Sequence, residues 1–447
     1  MLRGTVVFLS MLWTSALFAA GINLTVTVGT EVTTPEAAVA GALTSLCPAL
    51  LDVNASYPPE ALRLHDICAQ LNNGADATQA YTALSSRSNT AISTIVVQQP
   101  SAVPFALIGA RLAALQRRSA QSLQSSNEFY DFDQLRIPSA WVLAASDATT
   151  ATDAAAKSTL PASQWSFYIN GEGANYKQDA LASVAGFKGN TTSALFGLDY
   201  RLGSHAAVGA ASRIAKGAMD IVADGGSLDT TDANVTFYGS WFSDSGAHVD
   251  ATAGFGTGAF KMTRRIQFVL GNMTIDDTAK GKPNGNQYTV TLGAGYDPYF
   301  SNGINASFSG MLRYCASTID AYNEAGSNGL NLHIDSQKLK SSAAMLSALL
   351  QKSVSFQSFV LLPQASLSYT RNLGGDDATL RAHFIADPAQ TPFEFKTKTD
   401  DPDFATLALG TSALFPGGST LFVQYERLLL TQHYAQQSIA LGWRREF

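Results

Sequence analysis

Residues 235–241 read VTFYGSW, and in this stretch the apolar side chains of Val235, Phe237 and Trp241 alternate with mostly polar ones. A period of two is typical of a β-strand, because successive side chains of a strand point to opposite faces of the sheet. The stretch therefore predicts a strand with one apolar face and one polar face.

The same alternation recurs in twelve segments between residue 164 and the C-terminus. They cover about 164–173, 191–202, 205–216, 231–243, 246–260, 285–299, 302–317, 336–351, 354–371, 403–414, 418–428 and 435–447. Short connections such as 203–204 and 416–418 alternate with long ones around 261–284, 318–335 and 372–402 over much of this region. Such loop asymmetry, with an even number of strands, is typical of a transmembrane β-barrel. We predict a mainly β fold, a 12-stranded antiparallel transmembrane β-barrel with a small N-terminal α-helical segment.

The composition agrees with a barrel and excludes several other classes. Hydrophobic residues make up 46% of the 447 residues and charged residues only 14%, with a net charge of −6. A nucleic-acid-binding protein usually carries a basic stripe, and a disordered chain would lack the 24 Phe and 15 Tyr. A soluble β-sandwich is the alternative fold, but the low charge of the polar faces favours the barrel.

The first 21 residues have the features of a secretory signal peptide. Arg3 supplies a positive charge, residues 6–17 are mostly apolar, and small residues follow. Cleavage after Gly21 places Ala19 at the third position back, which suits the small-residue rule. A single membrane anchor is the alternative interpretation, although the apolar stretch is short.

The segment between residues 34 and 123 has helical spacing of its apolar residues. Thr34-Pro35-Glu36 provides a capping hydroxyl, a proline in the first turn and an early acid, which together predict a helix start. A second helix starts at 58–60 and stops at 72–74, and a third covers about 75–85. A further helix over 106–123 carries Arg111 and Arg118 on one face. Residues 124–163 lose this periodicity and are interpreted as a linker.

Three cysteines are present, and two of them fall on neighbouring predicted helices. Cys47 lies on the first helix and Cys68 on the second, whereas Cys315 is distant. Export makes a disulfide between Cys47 and Cys68 possible, and the bridge would close a loop of about 20 residues and contribute about 3 kcal/mol. Two buried free thiols are the alternative. The spacing of the cysteines does not suit a metal site, and we expect no cofactor.

Several segments of the C-terminal region also match a known family in their order and spacing. They are 165–173 with 175–176 and 186–187, 197–202 (GLDYRL), 322–326 with 330–332, 363–369, 404–410 and 422–426. In these segments the chain resembles the translocator β-domain of bacterial autotransporters, the type V secretion family, over roughly residues 160–447. The implied domains are a signal peptide (1–21), a short helical passenger-like module (22–103), a helix and linker associated with the pore (104–160) and the barrel (161–447).

The resemblance implies a barrel in the outer membrane of a Gram-negative bacterium, with a helix in its pore, that lets an N-terminal passenger reach the cell surface. It implies outer-membrane lipid, the barrel assembly machinery and periplasmic chaperones as partners of a monomeric barrel, and no nucleic acid. The family's assembly signal is a terminal Phe with aromatic or apolar residues in phase, matched here by Phe447, Trp443, Leu441 and Ile439. Arg445 departs from it, because an aromatic residue is usual there.

Two further departures concern the passenger. It is short, at about 100 residues, and it lacks the repeated β-helix rungs that passengers of the family often show. The asparagine pair that some members use for self-cleavage is also missing, with residues 126–128 (SNE) as the nearest candidate. We therefore expect the chain to stay intact.

Charged residues in the polar phase of the strands are expected to face the lumen. They are Glu172, Asp199, Arg201, Arg313 and Glu426. Our hypothesis is that Arg111 and Arg118 of the 106–123 helix pair with Asp199 or Glu426 inside the barrel. The alternative is that this helix lies in the periplasm or outside, with solvated arginines.

The leading functional prediction is a translocator that displays its short helical segment, and not an enzyme. The first alternative is a plugged pore or structural outer-membrane barrel with a periplasmic helical module. The second is an outer-membrane hydrolase, although no GxSxG, HExxH or Walker motif occurs and the six histidines are scattered.

Overall fold

Twelve antiparallel strands form a closed barrel in the computed structural model, which describes residues 34–52, 58–98, 164–222, 225–298, 304–375, 378–397, 403–416 and 418–447. The barrel strands are β1 (Trp165–Gln178), β2 (Phe187–Leu202), β3 (Ala206–Ile221), β4 (Ser227–Phe242), β5 (Ala247–Leu270), β6 (Asn284–Tyr296), β7 (Ile304–Ile319), β8 (Gln337–Lys352), β9 (Val360–Gly375), β10 (Asp403–Phe415), β11 (Ser419–Leu429) and β12 (Tyr434–Glu446). Each strand pairs with the next along the barrel, including β8 with β9. The predicted fold class is confirmed.

Pairing of the first strand with the last closes the cylinder. The β1–β12 register runs from Ser166 opposite Glu446 to Gln178 opposite Tyr434. Beyond it, the Trp165 amide donates to the Phe447 carbonyl at 3.3 Å, and the Phe447 amide donates to the Trp165 carbonyl at 3.1 Å. Closure leaves no open edge, which a sheet in lipid requires because hydrocarbon offers no hydrogen-bond partner.

The connections between strands differ sharply between the two ends of the barrel. At one end, which we call the short-turn end, compact turns such as that at Gly203, with φ of +67°, join the strands. At the other end, the long-loop end, lie the segments 271–283 and 320–336 and the described residues 378–397. The first residue of β1 and the C-terminus are both at the short-turn end.

An apolar band surrounds the barrel between two levels of aromatic side chains. On β6, Tyr288 and Tyr296 bracket Val290 and Leu292, and all four are between 47% and 60% exposed. Eight residues of a strand span about 26 Å, and strand tilt reduces this to a height of about 20 Å, close to the apolar band of outer-membrane barrels. Inward residues of the same strand, such as Thr289 and Thr291, are buried and polar.

Four α-helices lie within the described parts of residues 34–98, which we call the cap. They are α1 (Pro35–Leu50), α2 (Leu62–Asn72), α3 (Thr78–Leu84) and α4 (Thr90–Gln98). The Thr34 hydroxyl accepts a bond from the Ala37 amide at 3.2 Å, which caps α1 as the sequence predicts. None of the described helices is long and apolar enough to cross a membrane.

The sequence prediction missed α4 and part of the β structure at the long-loop end. Residues 92–97 of α4 read ISTIVV, whose β-branched residues favour a strand, and packing overrides this preference. The long connections are not plain loops, because Met273–Gly281 pairs with the end of β5. Four short strands, Tyr322–Asn323, Leu332–Ile334, Ala378–Phe384 and Phe393–Thr397, form a second sheet. The predicted helix 106–123 and the linker 124–163 lie outside the described residues.

A disulfide joins α1 to α2 within the cap. Its partners are Cys47 and Cys68, with a Cα–Cα distance of 5.2 Å and a sequence separation of 21. Both residues are buried in the apolar interior of the cap. The third cysteine, Cys315, is a buried free thiol of the barrel wall.

Removal of this bridge should destabilise the cap without affecting the barrel. We expect the Cys47→Ala/Cys68→Ala variant to lose about 3 kcal/mol of cap stability, because the bridge limits the unfolded chain. Urea titration followed by circular dichroism at 222 nm measures helix loss, and gel mobility of unheated samples reports the barrel. Cys315→Ala is the control for losing a thiol alone, and equal urea midpoints for all variants would contradict the prediction.

Candidate functional site

The apolar phase of the barrel strands reverses close to the long-loop end. On β5 the apolar residue Phe255 points outward, five residues before the first inward apolar side chain, Phe260. Met262, Ile266 and Phe268 continue the inward set and are buried. The outward residues of this part of β5 are mostly polar, so lipid cannot be the solvent there. The reversal marks the level at which the barrel leaves the membrane.

Equivalent inward apolar residues on the neighbouring strands form a ring inside the barrel end, which we call the mouth ring. Its members are Tyr176, Phe187, Met219, Ile221, Leu228, Phe260, Met262, Ile319, Leu339 and Tyr434, all of them buried. A ring of this kind exposes apolar surface to the lumen unless another part of the protein covers it. Its burial therefore depends on the element that lies over the mouth.

The cap covers the mouth ring and shares one hydrophobic core with it. Cap residues of this core include Leu43, Leu46, Leu64, Ile92 and Ile95. The same core also includes residues from the end of β5 and from the second sheet, namely Ile266, Leu270, Leu332, Phe384 and Phe393. Full burial of each such large side chain contributes about 1.5–3 kcal/mol, so separation of the cap from the barrel would expose a large apolar area.

Hydrogen bonds tie the cap to the connections around the mouth. The Arg87 guanidinium donates through Nη2 to the carbonyls of Leu181 at 2.6 Å and Ala182 at 3.1 Å. It also pairs with Glu36 of α1 at 3.2 Å. At Gly329, with φ of +78°, an added Cβ would overlap the Glu60 carbonyl oxygen, so the loop approaches the cap backbone closely. These contacts come from two different connections of the long-loop end.

A buried ion pair lies at the centre of the contact between cap and barrel. Arg264 of β5 and Glu324 are 1% and 3% exposed. The Arg264 guanidinium donates through Nε to Glu324 Oε1 at 3.0 Å and through Nη2 to Oε2 at 2.5 Å. Asn89, which directly precedes α4, donates through Nδ2 to Glu324 Oε1 at 3.1 Å. We call Asn89, Arg264 and Glu324 the latch, because they join the cap, β5 and the 320–336 connection.

Two backbone groups add further hydrogen bonds to the latch. The Leu332 amide donates to Glu324 Oε2 at 3.0 Å, and Arg264 Nη2 donates to the Leu330 carbonyl at 3.0 Å. Burial raises the pKa of the neighbouring Tyr322, the Glu324 carboxylate raises it further, and Arg264 lowers it. The Tyr322 phenol therefore stays neutral beside the ion pair.

Helix α4 faces the part of the lumen that lies below the mouth ring. A cavity of about 90 Å³ separates Ile95 and Val96 from a wall that includes Arg213 and Asp232. Arg213 donates through Nη1 to Asp232 Oδ1 at 2.7 Å across strands β3 and β4. The C-terminal half of α4 thus lies at the upper boundary of the lumen.

The predicted lumen charges lie in the inward phase of their strands and are partnered. Glu172 accepts from the Ser193 hydroxyl at 3.1 Å, and Asp199 accepts from the hydroxyls of Ser166 at 3.0 Å and Tyr238 at 3.3 Å. Glu426 accepts from Gln424 Nε2 at 2.5 Å. The other two residues of the set, Arg201 and Arg313, are half-buried. Arg111 and Arg118 lie outside the described residues, so their pairing with the lumen stays a prediction.

The residues of the predicted assembly signal lie on the outward face of the last strand. Ile439, Leu441, Trp443 and Phe447 are all exposed on the side that faces lipid. Arg445 shares this face and donates through Nη1 to the Ser419 hydroxyl at 3.0 Å. Their role in assembly stays a prediction.

One arrangement at the short-turn end has the composition of a hydrolytic triad. The Ser204 hydroxyl lies 2.7 Å from His205 Nδ1, and His205 Nε2 lies 2.7 Å from Asp244 Oδ1. The His205 and Asp244 side chains are largely exposed on two turns, so water surrounds the groups and screens them. We interpret the arrangement as a bridge between turns. Across the described ranges, no group of three or more His, Cys, Asp or Glu residues is arranged to hold a metal ion.

Sequence reasoning missed the latch and the mouth ring. The latch joins residues 60 and 235 positions apart, so periodicity could not connect them. The mouth ring had a readable signal, because apolar residues of β5 change from odd to even positions between Phe255 and Phe260. The functional region defined by both is the closed mouth of the barrel.

Comparisons with known proteins agree with the barrel geometry. The family model described as "Autotransporter beta-domain" matches residues 167–426. Among solved structures, the translocator domain of the autotransporter NalP from Neisseria meningitidis is 16% identical, with a TM-score of 0.51, over 65% of this chain and 90% of that chain. The β-domain of the Bordetella autotransporter BrkA is 15% identical, with a TM-score of 0.46, over 64% of this chain and 100% of that one. No curated protein matches the sequence.

Loss of one latch partner should weaken the cap far more than loss of a nearby surface charge. We expect Glu324→Gln to cost about 3–5 kcal/mol, because it leaves the Arg264 charge buried without a counter-charge. The control is Asp276→Asn, which breaks an exposed ion pair between Arg265, the residue after Arg264, and Asp276 on the segment that pairs with the end of β5. This change should cost less than about 1 kcal/mol.

Urea titration of cap helicity in detergent micelles measures both variants. The double variant Arg264→Met/Glu324→Leu should lose less stability than the sum of its single changes, because no unpaired charge remains. Equal midpoints for Glu324→Gln and Asp276→Asn would show that the latch does not hold the cap.

Proposed function

The chain belongs to the autotransporter β-domain family, and on this premise we propose that it is an outer-membrane translocator whose passenger is its own helical cap. In this proposal the cap crosses the membrane, reaches the long-loop end and is retained there. The barrel is a transport domain, and the retained cap closes its mouth. The chain stays intact, so delivery ends in docking.

The observation that carries the proposal is the position of the cap relative to the two barrel ends. Strand β1 begins at the short-turn end, while the cap packs against connections of the long-loop end. Outer-membrane barrels place short turns in the periplasm and long loops outside the cell. On this orientation the cap lies on the extracellular side, although the chain enters the barrel from the periplasm.

The route between the cap and β1 is proposed to run through the lumen. The connecting residues 99–163 lie outside the described part of the chain. A route around the barrel would expose backbone groups to lipid, where no hydrogen-bond partner exists. The position of Ile95 and Val96 above the lumen cavity supports this route. It agrees with the expectation that residues 104–160 are associated with the pore.

Two features favour retention of the cap over its release. The cap and the mouth ring share one core, and the latch fixes Asn89 to Glu324. Both contacts would have to be lost for a released passenger to leave the barrel. A short module that contributes to the core of the barrel mouth suits a permanent cap.

A plugged pore is the second candidate function. It is favoured by the way the cap reaches across the mouth, from Leu181 on one connection to Glu324 on another. In this case the barrel would serve solute passage, and the cap would act as its gate. The version with a periplasmic module has less support, because the helices pack at the long-loop end. The solvated turn bridge at His205 gives little support to a hydrolase.

Epitope tags at the two ends of the barrel test the proposal in intact cells. A tag inserted between Asn73 and Gly74 should be removed by added protease, because this site lies on the cap and a Cβ at Gly74 would meet open space. A matched tag between Gly203 and Ser204, at the short-turn end, should be protected until the outer membrane is permeabilised.

The two tags also separate the possible failures. Protection of the cap tag in cells with an assembled barrel would overturn extracellular placement of the cap. Digestion of both tags in intact cells would contradict the orientation of the barrel itself. A protease-treated barrel that conducts small ions, when the untreated barrel does not, would favour the plugged pore as the main function.

A further inference from the structure

Four exposed lysines lie at a similar level near the long-loop end, on strands β5 and β8 and just before β6. Lys261 follows the first residue of β5, Ala247, by fourteen positions. Lys282 precedes the last residue of β6, Tyr296, by fourteen positions, and Lys338 precedes the end of β8 by the same number. The fourth is Lys340, two residues from Lys338 on the same strand face. We call the four the lysine patch.

The lysine patch stands just beyond the apolar band. Fourteen residues at about 3.3 Å each, on strands tilted by about 40°, rise about 35 Å from the short-turn end. The upper aromatic level, marked by Phe255 and Tyr288 with ring centroids 5.2 Å apart, rises about 20 Å on the same basis. The backbone at the lysines therefore lies about 10–15 Å above the aromatic level. Lipid headgroups begin at the aromatic level, and the long lysine side chains can extend down toward them.

The lysines of the patch are not engaged in ion pairs within the described residues. The register that pairs Met262 with Gly281 and Ala259 with Asn284 places Lys261 opposite Lys282. Like charges directly opposite each other on neighbouring strands are destabilising. An anion between them would turn this repulsion into attraction.

On the opposite side of the barrel, one lysine has an acidic partner. Lys177 on β1 pairs with Asp179 at 2.7 Å. Near the patch, Asp229 lies opposite Lys261, and Asp320 is exposed just beyond the end of β7. Neither acid comes within ion-pair distance of a patch lysine in the described chain, and four lysines against two acids leave a net positive surface.

We propose that the lysine patch binds the anionic phosphate headgroups of lipids in the outer leaflet. The lysine patch stands above the lipid-facing band of the same side of the barrel, so the acyl chains of such a lipid would lie along Tyr288, Val290 and Leu292. Lysine side chains of this length reach headgroup phosphates while their stems cover apolar surface. The proposal depends on the outer-membrane orientation of the barrel and not on the role of the cap.

Lipid binding by the full-length protein in dodecyl maltoside micelles tests the proposal. Lipid A, a glycolipid with two phosphates, is added in increasing amounts, and native mass spectrometry counts the lipid molecules bound to each protein. Replacement of all four lysines (Lys261→Gln, Lys282→Gln, Lys338→Gln, Lys340→Gln) should weaken the apparent affinity by about tenfold or more, because each basic residue near an anionic surface contributes roughly a fivefold factor. High salt should also weaken lipid A binding by the wild-type protein, because it screens the attraction between lysine and phosphate.

Matched variants decide between the patch and general electrostatics. Lys177→Gln/Lys188→Gln, at a similar level on the other side, and Lys352→Gln, at the short-turn end of β8, should bind as the wild type. Equal losses in these controls, or unchanged binding by the fourfold variant, would overturn the proposal. Equal competition by inorganic phosphate at the same phosphate concentration would assign the patch to a soluble anion and also overturn it. If the fourfold variant does not fold, Lys338→Gln/Lys340→Gln serves in its place.

Discussion

Satisfaction of every backbone hydrogen bond in lipid is the constraint on which the rest of this structure depends. It forces β12 to pair with β1 along its whole length, from Ser166–Glu446 to Gln178–Tyr434. The start of β1 and the C-terminus are thereby fixed at the same end of the barrel. A segment that precedes β1 and packs at the far end must be connected across the full height of the cylinder. The location of the cap thus follows from the topology of the chain, independently of its function.

The reversal of apolar phase lets one set of strands serve two environments. Within the membrane, side chains such as Leu292 face lipid while Thr291 faces the lumen. Beyond the membrane, outward residues such as Lys261 meet headgroups or water, and inward residues such as Met262 meet the cap. The same two-residue period continues through both zones, so the strand does not need to end at the membrane surface. Because the inner face becomes apolar there, the barrel mouth is stable only when it is covered.

Local pattern predicted what local pattern determines. The period of two placed all twelve barrel strands, and Thr34-Pro35 marked the start of α1, because both signals act over a few residues. The prediction failed where tertiary contacts outweigh propensity, as in the β-branched residues of α4. It also failed for the second sheet, whose strands are short and pair residues as distant as His333 and His383. The latch was out of reach for the same reason, since Glu324 meets Arg264 and Asn89 only in the folded chain. The phase reversal on β5 was present in the sequence and would have predicted a covered mouth.

The apolar contacts of the mouth ring and the polar contacts of the latch have different roles. The mouth ring supplies most of the apolar burial, but apolar contact has no direction and would accept the cap in several orientations. A buried ion pair is weak evidence for stability, because desolvation opposes its attraction, and its best-attested role is to specify register. Here the two oxygens of Glu324 accept from Arg264, from Asn89 of the cap and from the Leu332 amide. A cap rotated or shifted on the ring would lose the Asn89 bond. Selection of one seated position is therefore the role that we assign to the latch, within a core that apolar residues could also fill.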